Sequence, residues 1–201
     1  EAGMHSDRSI GGAGSARDEA DAGLAGELAV GLGHVGRPAF LAADHELEFV
    51  LDIVQRVKAQ LRDGHVVVPG RITLEISHHY GLDRFDEFGL SMLTIVNRGY
   101  CKKLLLLFPG QRHPEQYHLE KEETFHVLQG EVSLVLDGVE RICVPGDVVT
   151  VEPGVRHAFS SAGGAIIEEI SSTHLRNDSF YTDETINANL DRKTLLSYWM
   201  D

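Results

Sequence analysis

Two stretches of the chain decide its fold, and they read Pro114-Glu115-Gln116-Tyr117-His118-Leu119-Glu120-Lys121-Glu122-Glu123-Thr124-Phe125-His126-Val127-Leu128-Gln129-Gly130 and Gly146-Asp147-Val148-Val149-Thr150-Val151-Glu152-Pro153-Gly154-Val155-Arg156-His157. Residues i and i+2 of a strand share one face, so Gln116 and His118 are predicted to point the same way. A turn then brings Glu123 back on a neighbouring strand. His157 follows a Pro-Gly turn and is predicted to complete the group from a third strand.

This group of side chains has the chemistry of a metal site. Two imidazoles and a carboxylate, with a carboxamide oxygen nearby, suit a divalent transition metal. We therefore expect His118, Glu123 and His157 to be ligands of one ion of Zn, Mn, Fe or Ni. Two roles stay open for Gln116, which is either a weak ligand or a hydrogen-bonding partner of a metal-bound water.

The spacing of both stretches resembles the two motifs of the cupin superfamily, HxH(x)3-4E(x)6G and G(x)5PxG(x)2H(x)3N. Here they read Gln116-x-His118-x4-Glu123-x6-Gly130 and Gly146-x5-Glu152-Pro153-Gly154-x2-His157-x3-Ser161. Glu122 is the alternative to Glu123, but only Glu123 keeps six residues before Gly130. Three positions differ, with Gln116, Glu152 and Ser161 in place of His, Pro and Asn. The resemblance implies a mainly β cupin fold, a double-stranded β-helix or jelly-roll barrel with a metal ion in its mouth.

Over residues 72–180 the chain also resembles cupin-type D-lyxose ketol-isomerases. The similar positions are Phe85-Asp86-Glu87-Phe88-Gly89-Leu90, Leu93-Thr94-Ile95-Val96-Asn97, Tyr100-Cys101-Lys102-Lys103, Gln111, Pro114, His118, Lys121 and Glu123. In that family two His, a Glu and a further His bind a divalent metal, and a Lys two residues before the Glu faces the sugar. The resemblance implies that Lys121 faces the substrate and that Gln116 occupies the first His position. A further likeness is to cupin regions found with sialic-acid-type (nonulosonate) synthases.

The chemistry of aldose-ketose isomerisation agrees with these residues. The reaction removes a proton next to a carbonyl, so it needs a base and a group that stabilises the developing ene-diolate. A metal and the cation of Lys121 meet the second need. Glu168 and Glu169 alternate on a late strand, so one of them faces inward, and we predict that Glu169 is the base.

Two other functions stay open. Two His and one carboxylate with open coordination positions is the arrangement of non-haem Fe(II) oxygenases. Alternatively, the cupin is a non-catalytic sugar-binding or dimerising module of a nonulosonate synthase.

The remaining histidines have less specific expectations. His113 is a loop residue or a replacement for the missing ligand, and His126 faces outward. The pair His78-His79 lies in a surface turn or covers the site.

Composition excludes several partners. The 201 residues carry 31 Asp and Glu against 18 Lys and Arg, a formal net charge of −13. Such a surface repels phosphate backbones and anionic lipid, so nucleic acid and membranes are poor partners. The longest apolar run, Leu104 to Phe108, is too short to cross a bilayer. The two cysteines, Cys101 and Cys143, are predicted to be reduced core residues, which favours a cytoplasmic protein. A homodimer acting on a small sugar is the expected assembly.

Four segments are predicted along the chain. Residues 1–26 are mostly Gly, Ala, Asp and Glu and read as a flexible linker or tail. The chain begins Glu1-Ala2-Gly3 without Met, and we expect a fragment of a longer protein. Residues 27–64 form an N-terminal helical segment, with a helix from an Asp44 N-cap to Leu61. Residues 65–182 form the β-barrel, and residues 183–201 form a C-terminal helical extension.

The predicted strands of the β region are short and separated by Gly-containing turns. They are His65 to Val68, Arg71 to Ile76, Leu90 to Asn97, Cys101 to Phe108, Glu123 to Gln129, Glu131 to Leu136, Val139 to Val144, Asp147 to Val151 and Ala165 to Ser171.

Overall fold

The computed structural model describes residues 39–175, 177–197 and 199–200. They form α1 Ala39–Asp63, β1 Thr73–His78, a 3-10 turn Leu82–Arg84, α2 Phe85–Phe88, β2 Gly89–Asn97, β3 Cys101–Leu107, β4 Arg112–Tyr117, β5 Glu123–Gly130, β6 Val132–Leu136, β7 Val139–Cys143, β8 Val148–Val151, β9 His157–Ser160, β10 Ala165–Ser171, β11 Phe180–Tyr181, α3 Glu184–Ala188 and β12 Lys193–Leu196.

The strands form two antiparallel sheets. The larger has the order β12-β1-β2-β3-β10-β5-β8, and the smaller has the order β11-β4-β9-β6-β7. Apolar side chains of both sheets pack together, including Leu105, Phe125 and Val127 of the larger and Leu134 and Phe159 of the smaller. The predicted mainly β jelly-roll architecture is therefore confirmed.

Strand β3 shows how the fold follows from strand periodicity. Leu105 and Leu107 face the smaller sheet, whereas Leu104 and Leu106 face the opposite side. A strand that is buried on both faces reads as a continuous apolar run, because each face needs its own cover. The outer face of the larger sheet must therefore be covered by another element.

Helix α1 covers this outer face. Its apolar stripe, which includes Ile53, Val57 and Leu61, packs on the sheet side that carries Leu104 and Leu106. The amide nitrogen of Gln60 donates hydrogen bonds to the carbonyls of two sheet residues, Leu107 at 2.9 Å and Ala165 at 3.0 Å. Within the described residues, no helix combines the length and apolar composition needed to cross a membrane.

Two predictions near α1 are wrong. The helix begins at Ala39, so Asp44 lies inside it and is not its N-cap. The helix formers of residues 39–43 extend it by more than a turn. Residues 65–68 are not a strand but a connection, because His65 has a positive φ of 55° and Val67 is 95% exposed. At its other end the helix runs to Asp63, two residues past the predicted Leu61.

The C-terminal segment is only partly helical. Helix α3 spans five residues, and Asp183 caps it by accepting a hydrogen bond from the Thr185 backbone N–H. The rest was predicted to be helical but instead contains β12, which pairs with β1 at the edge of the larger sheet. An open sheet edge accepts an added strand by backbone hydrogen bonding, a long-range event that local sequence does not reveal. The division into four segments stays a prediction, and residues 1–26 lie outside the described residues.

Gly130, the last residue of the first cupin motif, provides a stability prediction. Its φ is +79°, and an added Cβ would collide with the carbonyl oxygen of Gly164. Gly138 has nearly the same φ, +80°, but open space around it. We expect Gly130→Ala to lower the free energy of unfolding by roughly 2–5 kcal/mol, from backbone strain plus steric overlap, and Gly138→Ala by roughly 1–3 kcal/mol from strain alone.

Urea unfolding of the two glycine variants beside the parent measures the difference. Equal losses of stability in both variants would show that the close approach to Gly164 costs nothing.

Candidate functional site

The predicted ligands come from both sheets. His118 follows β4, His157 begins β9, and these two strands pair so that Gln116 lies opposite His157. Glu123 begins β5, which belongs to the larger sheet. The prediction of three neighbouring strands is therefore wrong in one respect: residues 118–122 cross from one sheet to the other.

The structure brings His118, Glu123 and His157 together. One donor atom from each lies within 4.8 Å of the other two, and all three side chains are buried. The Nε2 atom of His157 lies 3.2 Å from Glu123 Oε2, and the Nε2 atom of His118 lies 3.3 Å from Glu123 Oε1. Three donors therefore converge on one point.

Backbone carbonyls orient both imidazoles. The Nδ1 atom of His157 lies 3.1 Å from the carbonyl oxygen of Val155, and the Nδ1 atom of His118 is bonded to that of Asp178. A carbonyl only accepts, so Nδ1 carries the hydrogen and Nε2 presents a lone pair to the site. This is the arrangement that metal-binding histidines use.

The unsatisfied polar atoms of the site fit a metal ion. Within the described chain, His118 Nε2 and Glu123 Oε2 are buried and have no hydrogen-bond partner. Buried polar atoms normally have partners, so two lone-pair donors aimed at the same point suit a cation as their shared partner. The donor set and its geometry thus agree with a divalent metal.

Gln116 lies beside this group. Its side-chain amide nitrogen is 3.2 Å from His157 Nε2. Rotating the amide by 180° would present its oxygen at the same place, and an amide oxygen can bind a cation. Gln116 is therefore close enough for either of the roles that the sequence leaves open.

A buried group of lysines and carboxylates adjoins the three donors. The ammonium of Lys121 contacts Glu123 Oε1 and lies 3.4 Å from Glu169 Oε1. A second ammonium, that of Lys103, lies 3.5 Å from the same Glu169 oxygen. Two cations thus face two anions away from water, so each charge has a compensating partner.

This charge pairing moves the pKa values of the group. Burial opposes ionisation of Glu123, but the neighbouring charge of Lys121 helps to hold the pKa of this carboxyl well below the usual range. Burial also opposes the charged form of Lys121, yet Glu169 and Glu123 raise its pKa. Both groups are ionised at neutral pH.

Glu168 and Glu169 have the orientations predicted from alternation. Glu169 is buried and faces the cavity, and it accepts a hydrogen bond from Ser171 Oγ at 3.1 Å. Glu168 faces outward, with its oxygens 2.6 Å from Lys102 Nζ and 3.2 Å from His126 Nδ1. The outward position of His126 is confirmed as well.

Asp178 holds the segment that carries Lys121. Its carboxylate accepts hydrogen bonds from the backbone N–H groups of Leu119, Glu120 and Lys121 at 2.8–3.2 Å. These bonds lower its pKa although burial opposes the charge. Because the carbonyl of Asp178 also orients His118, one residue positions both a predicted ligand and the predicted substrate-facing lysine.

The pair His78-His79 is buried, so its predicted surface position is wrong. The Nδ1 atom of His79 lies 2.6 Å from the Phe88 carbonyl oxygen, and its Nε2 atom lies 3.0 Å from the Tyr181 hydroxyl oxygen. Burial lowers the pKa of His79 to about 4, although its bond to the Phe88 carbonyl opposes this. Neutral His79 therefore accepts a hydrogen bond from Tyr181.

The cavity wall includes residues that the sequence interpretation did not assign to the site, among them Lys103 and Tyr181. For Lys103 a signal existed, because it shares strand parity with the inward Leu105 and Leu107. Tyr181 lies on the two-residue strand β11, which has no recognisable pattern.

His113 is buried and stacks on Phe159 with ring centroids 4.5 Å apart, and it is not among the three convergent donors. Cys101 and Cys143 are buried free thiols, as predicted.

Comparison with known proteins agrees with the fold. Residues 104–170 match the Cupin domain family, so this part of the chain is a cupin domain. It is 32% identical over 136 residues to a D-lyxose ketol-isomerase of Thermofilum sp., covering 53% of this chain and 76% of that protein. It is 29% identical over 168 residues to a D-lyxose/D-mannose isomerase of Thermosediminibacter oceani, covering 68% and 92%. The chain therefore belongs to the D-lyxose ketol-isomerase family of cupins, a family of sugar isomerases.

A solved structure extends the likeness of the fold. The L-ribose isomerase of Geodermatophilus obscurus superposes with a TM-score of 0.55 at 15% identity, over 70% of this chain and 94% of that one. The superposition includes more of the chain than the residues matched by the Cupin domain family, so the likeness extends beyond the barrel core.

Proposed function

We propose that the protein is a metal-dependent aldose-ketose isomerase acting on a small sugar of the D-lyxose or D-mannose type. The observation that carries the proposal is the buried Lys103, Lys121 and Glu169 group placed directly against the convergent donors. Family membership supports the same reaction.

Glu169 is proposed as the base. Its contacts with Lys103, Lys121 and Ser171 all go to Oε1. Among the described residues, none of these three groups contacts Oε2. Oε2 is therefore the oxygen proposed to take a proton from the carbon next to the sugar carbonyl. Returning that proton to the adjacent carbon, while the hydroxyl proton of the first carbon's neighbour passes to the former carbonyl oxygen, converts an aldose into a ketose with no net change in atoms or electrons.

Lys121 and Lys103 are proposed to stabilise the ene-diolate. Their ammonium groups are fixed by carboxylates before the substrate arrives, so they need not reorganise when negative charge develops on the sugar oxygens. That charge is larger in the transition state than in the bound sugar, and so these cations favour turnover more than binding.

His118, Glu123 and His157 are proposed to hold one divalent ion, with Gln116 as a fourth ligand or as a partner of its bound water. When bound, such an ion supplies a Lewis acid for the carbonyl and hydroxyl oxygens of the sugar. The ion is proposed to be Zn, Mn, Fe or Ni, since all four accept imidazole and carboxylate donors.

The lysine-carboxylate group also favours isomerisation over the other two functions. Oxygenase chemistry at a two-His, one-carboxylate site requires open metal positions but no buried base with two cations. A binding module would have no need to keep Glu169 buried beside two lysines, because charges removed from water cost free energy. We further propose that the protein is a cytoplasmic homodimer. Light scattering of the purified protein measures its molar mass in solution and so tests the dimer.

Ketose formation by protein depleted of metal and reloaded with one ion at a time tests the proposal. D-lyxose, D-mannose and L-ribose are the substrates, and free ketose is the readout. Turnover with at least one ion, absent from the depleted protein, supports the isomerase. Tight metal binding and sugar binding without turnover of any of the three would contradict it and favour the binding module.

Gln116→His is predicted to increase metal affinity. Imidazole is a better donor than a carboxamide toward Zn, Ni or Fe, and position 116 lies opposite His157 across the β4-β9 pair. A gain of roughly tenfold to a hundredfold is expected, the size of effect that changes around a metal site commonly produce. Competition with a chelator of known affinity measures it. Equal affinities in the parent and the variant would place Gln116 outside the coordination sphere.

A further inference from the structure

The structure contains a second, larger cavity outside the catalytic one. Its volume is about 580 Å³, against about 40 Å³ for the inner cavity beside Glu123 and Glu169. The two cavities share Glu75, His174 and Lys193 in their walls, so they adjoin. The inner cavity has room for a few water-sized groups, not for a whole hexose. The rest of a sugar whose carbonyl lies there must extend into the outer cavity.

Arg192 is a cation in the wall of the outer cavity, and it faces no carboxylate partner among the described residues. Its guanidinium carbon lies 5.2 Å from the ring centroid of Tyr181, which lines the inner cavity. The Arg192 Nε atom is buried without a hydrogen-bond partner, and its guanidinium forms no ion pair with the described residues. A half-buried guanidinium with five N–H donors and no acceptor is a costly arrangement unless something else binds there.

The other ionisable groups of this wall are already neutralised. Lys193 pairs with Glu75 at 2.6 Å, and Glu75 is the one carboxylate among the described residues that line the outer cavity. Burial, together with the charges of Lys103 and Lys121, lowers the pKa of His174 to about 4, so its ring is neutral at pH 7. Arg192 therefore gives the outer cavity a net positive charge.

The outer cavity is shaped by asparagines that hold the backbone. Asn97 bonds to both the N–H and the carbonyl of His174, and Asn187 bonds to both the N–H and the carbonyl of Tyr181. These amides are occupied, whereas the guanidinium of Arg192 is available. The cavity thus combines fixed walls with one planar cation that has no ion-pair partner among the described residues, and this suits a bidentate anion.

We propose that the outer cavity binds the anionic end, a phosphate or a carboxylate, of a sugar whose carbonyl end reaches the inner cavity, with Arg192 as the recognising residue. This inference rests on the proposed function and adds that, among sugars of the D-lyxose or D-mannose type, those with an anionic far end bind more tightly than the neutral ones. A guanidinium pairs with both anions through two parallel N–H···O bonds, so the experiment separates the two.

Calorimetric titration with D-mannose, D-mannose 6-phosphate and D-mannuronate tests the proposal, since these share a carbonyl end and differ at the far end. The parent protein is expected to bind at least one of the two anionic sugars about tenfold or more tightly than D-mannose. The preference should largely disappear in Arg192→Met and persist in part in Arg192→Lys. Which sugar binds more tightly identifies the anion.

Arg141→Met is the matched control. It removes a positive charge from an exposed residue of β7, which is not among the residues lining either cavity, so it should keep the preference. Equal affinity of the parent for all three sugars, or a preference that survives in Arg192→Met, would overturn the proposal. The parent result alone is decisive even if a variant folds poorly.

The titration is independent of turnover. An anion preference without any isomerisation would support the outer site and count against the isomerase. Isomerisation of D-mannose without an anion preference would support the isomerase and count against the outer site.

Discussion

Replacing Glu169 by glutamine is expected to reduce isomerisation turnover by roughly 10²- to 10⁴-fold, the usual contribution of a positioned general base. Glutamine has nearly the same shape, but its amide cannot take a proton from carbon. The variant keeps the hydrogen bond from Ser171 Oγ if the amide oxygen replaces Oε1. Its metal content should match the parent, because Glu169 is not among the three convergent donors.

Exchange of solvent deuterium into the sugar, at the carbon next to the carbonyl, measures the same step directly. It should fall in parallel with turnover in Glu169→Gln. Glu168→Gln is the matched control, because that side chain lies on the same strand but faces outward toward Lys102 and His126. A Glu169→Gln variant within a few-fold of the parent in both measurements would place the base elsewhere in the cavity.

The stability of the Glu169→Gln variant should fall as well as its turnover. Glu169 faces the ammonium groups of Lys103 and Lys121, which would lose a counter-charge. A buried charge without its partner is destabilising, so a fall in the midpoint of unfolding is expected together with the catalytic loss. Glu168→Gln removes a half-buried pairing whose partners Lys102 and His126 are more exposed, so it should lower the midpoint less than Glu169→Gln.

The sequence predicts the core of this fold because the physical signals there are local. Alternating apolar residues mark the strands, and Gly-containing turns mark their ends. The two cupin-like stretches place His118, Glu123 and His157 at fixed distances along the chain. The convergence of these three donors is confirmed by the structure, as is the inward orientation of Glu169.

The sequence does not predict the features that depend on long-range packing. Strand β12 forms because the edge of β1 is open, and no local pattern in Lys193–Leu196 distinguishes it from a helix end. Glu123 lies on the opposite sheet from His118 because the chain crosses between sheets, although the spacing agrees equally well with neighbouring strands. Lys103 follows an alternation that was visible, but a lysine on a buried face is rare enough to be overlooked.

The donor group and the lysine-carboxylate group depend on each other. Glu123 contacts His118 and His157 on one side and Lys121 on the other. A divalent ion would add two positive charges beside two lysines, so the carboxylates of Glu123 and Glu169 limit the repulsion. The site as a whole is then positively charged when the ion is bound, and this favours an anionic ene-diolate.

Replacing Glu123 by glutamine is therefore expected to have the largest effect of all. The variant loses the anionic donor of the three and one of the two carboxylates that Lys121 faces, so metal affinity should fall by more than the roughly tenfold to a hundredfold typical of outer contacts. Several kcal/mol of transition-state stabilisation depend on such an ion. Each ~1.4 kcal/mol is a factor of ten in rate, so turnover without added metal should fall by roughly 10³-fold or more.

Elemental analysis and ketose formation, measured on the same preparations, test the prediction for Glu123. Glu122→Gln is the matched control, because Glu122 is exposed while its neighbour Glu123 is buried among the donors. The control should keep the metal content and the turnover of the parent. If Glu123→Gln kept its metal while Glu122→Gln lost it, the ligand would be Glu122, the alternative considered from the sequence. If both variants kept their metal and turnover, neither carboxylate would be needed to hold the ion, and the proposed role of Glu123 as a ligand would be wrong.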